Sequence, residues 1–275
     1  MGNLWKGFKE HRTFRFTSLL VILLIALVVL APVIAPYNPL EAVMKDANQA
    51  PSMAHLFGTD KLGRDVLSRI LYGGAYSLSS VLALVAIIFC VGTFLGLVAG
   101  YFGGLIDTVI MRIADMMISF PGVILAIAIA GIMGGSLVNA MIALTAVTWT
   151  KYARLSRSMV LKIRKRDFVD ATFVSGGTSS HILWTHIMPN VVPILVITAV
   201  SDIGAMMMEL AGLSFLGFGS QPPAPEWGLM LNEGRQQLQT APWLMVFPGL
   251  AIFISVVIFN LWGDALRDVL DPRDQ

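Results

Sequence analysis

The sequence predicts an all-α integral membrane protein with six transmembrane helices. Its 275 residues are 56% hydrophobic and only 13% charged, about half the charged share of a soluble domain, and their mean hydropathy is +0.75. Four long runs contain no Asp, Glu, Lys or Arg: residues 16–40, 70–106, 116–150 and 236–263. Each run exceeds the roughly 20 residues that a helix needs to cross a membrane. Because the runs are continuously apolar, they disfavour a soluble core and a transmembrane β-barrel.

The spans are assigned in chain order. Residues 1–15 form a basic N-terminus, and the first span covers residues 16–36. Residues 37–76 carry prolines and charges that disfavour insertion, so they form a segment outside the membrane. Within it, residues 66–72 are amphipathic and predict a helix along the membrane surface. The other five spans are predicted near residues 77–101, 106–133, 137–152, 191–213 and 243–261.

The lysines and arginines predict the orientation of the chain. With six spans, 13 of the 19 basic residues fall on one side of the membrane and five on the other. Basic residues are enriched in cytoplasmic segments, so both termini and the segment of residues 154–190 are predicted to be cytoplasmic. The remaining basic residue, Arg112, lies within the third span.

The segment of residues 154–190 is polar and basic in a chain that is otherwise apolar. Residues 168–174 predict a short helix, which Gly176 and Gly177 break. A Thr-Ser-Ser run can then cap a second helix over residues 181–187. The segment therefore predicts two short helices joined by a glycine turn.

Two further features concern the end and the surface of this segment. Pro189 and Pro193 are expected to interrupt the chain before the fifth span. Several apolar side chains need cover in a cytoplasmic segment, and this favours a protein partner over a disordered loop bound to anionic lipid. The residues concerned are Phe168, Val169, Phe173, Ile182 and Trp184.

The same segment resembles the cytoplasmic coupling motif of binding-protein-dependent ABC importers. That motif reads Glu-Ala-Ala, three residues, Gly, nine residues, then Ile-x-Leu-Pro. This chain has Asp170-Ala171-Thr172, then Gly176, then His186-Ile187-Met188-Pro189. The chain departs at the first and third positions and at His186 and Met188, but the spacing is kept throughout.

Other stretches resemble the second permease subunit of the dipeptide, oligopeptide and nickel importers. They are residues 57–69, Asp115 with Phe120-Pro121, residues 213–228 and residues 259–272. The resemblance implies a type I ABC importer permease fold, with a core over residues 77–273 in a bacterial inner membrane. It also implies a homologous permease as the partner in a heterodimer, two ATPase subunits and an extracytoplasmic solute-binding protein.

The resemblance implies that the chain itself is not an enzyme. Contact with the ATPase subunits would fall on Asp170, Ala171, Gly176, Gly177 and Pro189. No cofactor is expected in this chain, and ATP and Mg would be bound by the partner subunits. The sequence contains no phosphate-binding G-x-x-x-x-G-K run and no H-E-x-x-H motif. Its single cysteine cannot form a disulfide framework or a thiol metal site, so no metal site is predicted.

The fifth span carries the candidate translocation path, namely Asp202, Met206, Met207, Met208 and Glu209. Thioethers suit softer ions than Ni²⁺, and methionines are common packing residues, so packing is favoured over a substrate role for the three methionines. For Glu209, lining of the path and a hydrogen bond between helices are equally supported. This run resembles nickel permeases more than peptide permeases. The predicted cargo is therefore nickel, free or chelated, with di- or oligopeptides as the alternative. An ion-driven secondary transporter is a more remote alternative.

Two further patterns concern the packing of the spans. Arg112 and Asp115 are three residues apart, so they can share a helix face and form an intramembrane ion pair. Four glycines recur at a spacing of four residues, which allows membrane helices to approach closely, and we predict helix packing within the subunit from them. They are Gly92, Gly96, Gly100 and Gly104.

Overall fold

The structure is a computed structural model that describes residues 11–270, and its regular elements are helices, as predicted. Over these residues the α-helices are α1 Arg12–Val29, α2 Ala31–Ile34, α3 Val66–Phe102, α4 Gly104–Ile118, α5 Gly122–Met133, α6 Leu137–Ile163, α7 Asp167–Val174, α8 Ser179–His181, α9 Met188–Phe215, α10 Trp227–Gly234 and α11 Trp243–Leu270. Short 3₁₀ turns cover Met44–Asp46 and Arg235–Gln237, and a π-helical turn covers Ile182–Ile187.

Four helical stretches of the described chain are long and apolar enough to cross a membrane, or five if one bent helix pair counts as a span. They are Arg12–Val29, Val66–Phe102, Ser179–Phe215 and Trp243–Leu270. The predicted fourth span lies in α6, where the apolar stretch gives way to basic residues from Lys151 onward. Six spans and two cytoplasmic termini therefore stay predictions, and residues 1–10 and 271–273 of the predicted domains lie outside the described residues.

The predicted first span corresponds to α1 followed by the single turn α2. One face of α1 packs against α11, where Phe14 joins a buried cluster with Ala265, Leu266 and Val269. The Trp262 indole N–H also donates a hydrogen bond to Ser18 Oγ at 3.1 Å. The opposite face of α1 exposes large apolar side chains, as a lipid-facing helix does; these include Phe16, Leu19, Ile22 and Leu23.

Helix α3 corrects one prediction about the segment outside the membrane. Residues 66–72 do not form a separate surface helix, because α3 runs without a break from Val66 to Phe102. The glycine at position 73 does not interrupt it but allows close packing, since a Cβ there would overlap the Pro225 carbonyl oxygen. The Asp65 carboxylate accepts the Ser68 backbone N–H at 2.8 Å and so caps the start of this helix.

The predicted third span is not one straight helix. Helices α4 and α5 meet at a bend of 94°, which makes them a broken span or a re-entrant loop. Pro121 lies at the break. Proline lacks an N–H donor and disfavours helical geometry in the residue before it, so the sequence Ser119-Phe120-Pro121 ends α4.

The described chain divides into two compact units, one of which comprises residues 84–129 and 143–199. Within that unit, the glycines of α3 lie directly against α6. A Cβ at Gly92 would lie 2.5 Å from the Trp149 carbonyl oxygen, and one at Gly100 would lie 2.8 Å from Val160 Cβ. The predicted close helix approach is thus confirmed. Gly104 differs, because it is the first residue of α4, has a φ of +56° and has nothing within 4 Å of its Cβ position.

Candidate coupling element and translocation path

Helix α7 is a largely exposed part of the segment predicted to contact the ATPase subunits. Asp170 and Ala171 lie on its open side, whereas Val169 on the other side is only 5% exposed. Ala171 adds little bulk to the open side, and Asp170 adds a carboxylate. A two-turn helix with one covered face and one open face has the shape of a docking element.

A glycine turn separates α7 from the following helix, as predicted. Gly176 has a φ of +85°, in the left-handed region that favours glycine. The Gly177 backbone N–H donates to the Thr172 carbonyl oxygen at 3.0 Å, and a Cβ at Gly177 would lie 2.8 Å from the same oxygen. Thr178 then begins α8, because its hydroxyl accepts the His181 N–H at 3.3 Å.

The prediction that Pro189 and Pro193 interrupt the chain is wrong. The helical stretch continues from Ser179 to Phe215 through both prolines. Pro189 is tolerated because it is the second residue of α9, directly after a π-helical turn, where hydrogen bonding is already irregular. The Asn190 side-chain amide also donates to the His186 carbonyl oxygen at 2.6 Å.

The two parts of the segment contact each other through His186. Its ring lies 6.1 Å from the Phe168 ring, measured between centroids, and its Nε2 lies 3.5 Å from Thr172 Oγ1. Two of the apolar residues predicted to need cover, Val169 and Ile182, are buried. Four large apolar side chains of the segment stay exposed, namely Phe168, Phe173, Val174 and Trp184. This set is the exposed apolar patch of the coupling segment.

The residues of the predicted translocation path lie together on α9 but differ in exposure. Met206 and Met207 are 5% and 2% exposed, so both pack inside the fold, whereas Met208 is 56% exposed. Asp202 and Glu209 are half-buried. Of the three methionines, only Met208 is exposed, so only Met208 stays a candidate for direct contact with a cargo.

Met208 borders an apolar groove of about 530 Å³ between α9, α10 and α11. The groove is lined by Met208, Ala211, Gly212, Phe215, Leu231, Met245, Gly249, Ile252, Phe253 and Val256. Every lining residue is apolar. Within residues 11–270, no group of three or more His, Cys, Asp and Glu is arranged to hold a metal ion.

The predicted ion pair between Arg112 and Asp115 is corrected by the structure. Asp115 Oδ1 instead lies 2.5 Å from Arg154 Nη2. That pair joins α4 to α6, and a second pair does the same. The Arg157 guanidinium donates from Nε and Nη2 to the two carboxylate oxygens of Asp107, at 2.5 and 2.6 Å. Sequence spacing identifies neighbours on one helix only, and the partners here lie on α6, which packs against α4.

Sequence reasoning gave no role to Glu226, a buried carboxylate that lies directly before α10 and caps it. Its two oxygens accept the backbone N–H groups of Gly228 and Leu229, both at 2.8 Å. Burial raises the pKa of Glu226, and these hydrogen bonds oppose that shift. The neighbouring Trp227 donates its indole N–H to the Ile70 carbonyl oxygen at 2.9 Å, so α10 is fixed to the start of α3. An Asp or Glu directly before a short helix is the signal that could have identified this cap.

A buried ionic network joins residues 60–69 to the end of α10. Asp60 Oδ2 lies 2.6 Å from Arg64 Nε and 2.6 Å from Arg69 Nη1. Both guanidinium groups also approach Glu233, at 3.3 and 2.8 Å. Arg64 and Glu233 are 169 positions apart in sequence, so no local pattern could predict the link to Glu233.

Comparison with known proteins identifies the family. The sequence profile described as "binding-protein-dependent transport system inner membrane component" matches residues 92–273. The profile described as "N-terminal TM domain of oligopeptide transport permease C" matches residues 1–51. The structure of the MetNI methionine ABC transporter in inward-facing conformations has a TM-score of 0.52 at 19% identity, over 72% of this chain and 96% of that chain. This likeness shows a shared fold.

Three relatives are named for different transported substrates. The glutathione transport system permease protein GsiD of Pectobacterium atrosepticum is 42% identical over 98% of this chain and 90% of its own length. The dipeptide transport system permease protein DppC of Alkalihalophilus pseudofirmus is 40% identical, over 98% and 88%. The nickel transport system permease protein NikC of Escherichia coli is 43% identical, over 93% of both chains. The chain therefore belongs to the binding-protein-dependent inner membrane components, in the peptide and nickel branch of ABC importer permeases.

Proposed function

We propose that this chain is the membrane-spanning, non-catalytic subunit of an ATP-driven importer. The observation that carries the proposal is the coupling segment: a short exposed helix, a glycine turn at φ +85° and an exposed apolar patch, at the spacing of the importer motif. Exposed apolar groups of this number need a protein to cover them. The family profile covers this segment within residues 92–273.

The proposed partners are a homologous permease, two ATPase subunits and an extracytoplasmic solute-binding protein. ATP and Mg are bound by the ATPase subunits, and this chain supplies the path and the mechanical link. Closure of the ATPase subunits displaces α7, and α7 passes the displacement to the spans. The cargo site then opens alternately to either side, as a two-state equilibrium shifted by ATP.

The substitution Gly176→Arg tests the proposal. Arginine at φ +85° is strained, although nothing lies within 4 Å of the Cβ position to exclude the side chain. The variant should insert and assemble, but the distorted turn should misplace α7 and abolish ATP-driven uptake. The measurement is labelled-cargo uptake by the assembled complex in proteoliposomes, with and without ATP.

Gly134→Arg is the matched control. Gly134 has a φ of +87° and nothing within 4 Å of its Cβ position, but it lies outside the coupling segment. Its variant carries the same backbone strain and the same new charge, and it should retain uptake. Normal ATP-driven uptake by the Gly176→Arg complex would contradict the proposed role of the segment. Uptake by wild-type chain alone, without ATPase subunits, would contradict the proposed function altogether.

For the cargo we propose nickel, free or chelated, on the resemblance of the α9 run to nickel permeases. A di- or oligopeptide cargo is the second candidate, and a specific observation favours it: the groove beside Met208 is lined by apolar residues only. Such a wall suits organic side chains or an organic chelator better than a bare hydrated ion. The test compares uptake of labelled nickel, nickel with a chelator, and labelled dipeptide by the same complex.

A further inference from the structure

Helices α4 and α6 are joined by three kinds of contact. Buried Ala114 of α4 packs against Trp149 and Ala153 of α6. The pair of Asp107 with Arg157 is two-pronged and partly buried, with 18% and 32% of the two side chains exposed. The pair of Asp115 with Arg154 is more open, at 57% and 44%. A two-pronged guanidinium–carboxylate pair fixes orientation as well as distance, so the Asp107–Arg157 pair carries most of the alignment.

Helix α6 continues almost directly into the coupling helix. It ends at Ile163, and only three residues separate it from Asp167, where α7 begins. One of these, Arg164, donates to the Tyr101 carbonyl oxygen at 2.6 Å and places its guanidinium 5.6 Å from the Tyr101 ring centroid. These contacts and α7 itself belong to one compact unit of the described chain. A displacement of α7 therefore reaches α6 through a short, braced connection.

The two ion pairs determine which helix moves together with α6. Helix α4 ends at the 94° bend before α5, so a firm hold on α4 would move the bent pair from one side. We propose that Asp107 and Arg157 are positioning residues that latch α4 to α6, so that displacement of the coupling helix reaches the bent helix pair. This proposal rests on the proposed function, ATP-driven import. It assigns to the pair a role in coupling and not only in stability.

The test uses the whole complex with its partner subunits in proteoliposomes and measures ATP hydrolysis and labelled-cargo uptake together. Asp107→Asn keeps the shape of the side chain but removes its charge. It should leave assembly and ATP hydrolysis in place and lower the number of cargo molecules imported per ATP by about threefold or more. The exchange of charges, Asp107→Arg with Arg157→Asp, should restore that ratio.

Arg112→Gln is the control on the same helix. Arg112 is exposed and forms no ion pair with another residue of the described chain, so its loss should leave the ratio unchanged. An unchanged ratio in Asp107→Asn would overturn the latch while leaving the importer function intact. A lowered ratio that the charge exchange does not restore would also overturn it. If the wild-type complex imports without ATP, the proposed function fails, and the latch fails with it.

Discussion

The replacement Gly92→Ala is the sharpest test of the packing on which the coupling unit depends. One added methyl group would lie 2.5 Å from the Trp149 carbonyl oxygen and 2.6 Å from Tyr152 Cβ. Ordinary van der Waals contact begins near 3.4 Å, so α3 and α6 would have to separate by about 0.9 Å. Both contacted atoms are fixed to the α6 backbone, so no side-chain rotation relieves the overlap. Tyr152 is also only 1% exposed and lies edge-on to Phe89, at a centroid distance of 6.2 Å.

The cost of this separation follows from the contacts that it disturbs. Overpacking of a well-packed site costs about 1–3 kcal/mol. The hydrogen bond from Ser156 Oγ to the Thr93 carbonyl oxygen is already 3.2 Å long, and its loss adds about 1 kcal/mol. Alanine regains about 0.5–1 kcal/mol of helix propensity over glycine. The free energy of unfolding should therefore fall by about 2 kcal/mol, the sum of these terms.

The assay is reversible unfolding of the purified chain in detergent, followed by circular dichroism. Gly212→Ala is the control, because it makes the same chemical change inside α9, where nothing lies within 4 Å of the new Cβ. That variant should be as stable as the wild type or slightly more stable. If Gly92→Ala matched Gly212→Ala in unfolding free energy, the close approach of α3 and α6 would not be a source of stability, and the reasoning would be refuted.

Two further changes test the buried charges. Asp60→Ala leaves the two guanidinium groups of the ionic network with one carboxylate, and it should lower the free energy of unfolding by about 3–5 kcal/mol. The control is Glu41→Ala, which removes an exposed carboxylate. Equal stability of the two variants would contradict a stabilising role of the network. Glu226→Gln tests pH dependence. Burial holds the folded pKa of Glu226 above the ordinary value of 4.5, so the folded state keeps this proton longer than the unfolded state. The wild type should therefore lose stability relative to Glu226→Gln as the pH rises through that folded pKa, as unfolding titrations at about pH 4 and about pH 8 can measure; a pH-independent difference would contradict this.

The parts of the structure that the sequence predicted well are those determined by near neighbours. The α7 helix, the turn at Gly176 and the cap at Thr178 each depend on residues within one or two turns. The close helix approach at Gly92 also follows from a local property, because a missing side chain is visible in the sequence whatever lies opposite.

The failures have different physical causes. Proline was expected to stop a helix, but Pro189 lies at a helix start and follows a π-helical turn, so it displaces few hydrogen bonds. Pro121 has its usual effect and bends the third span. The two prolines differ in the backbone geometry before them, and sequence alone does not specify that geometry. Apolar composition likewise predicted the spans as units and gave no sign of the 94° bend.

The ion pairs show most clearly what spacing can and cannot predict. Arg112 and Asp115 satisfied the rule for one helix face, yet Asp115 pairs across helices with Arg154. The 50 positions between Asp107 and Arg157 can be bridged only once α4 and α6 are known to pack together. Unpaired charges inside a membrane span are costly, so a carboxylate within a span is expected to have a partner, and the packing of helices decides which one. The basic residues of α6 therefore do more than predict the orientation of the chain. Two of those that predicted a cytoplasmic side, Arg154 and Arg157, form ion pairs with α4. The same positive charges that predict a cytoplasmic segment also fasten the helix that leads to α7. The charge exchange at Asp107 and Arg157 separates these two roles, because it leaves the number of basic residues in the chain unchanged.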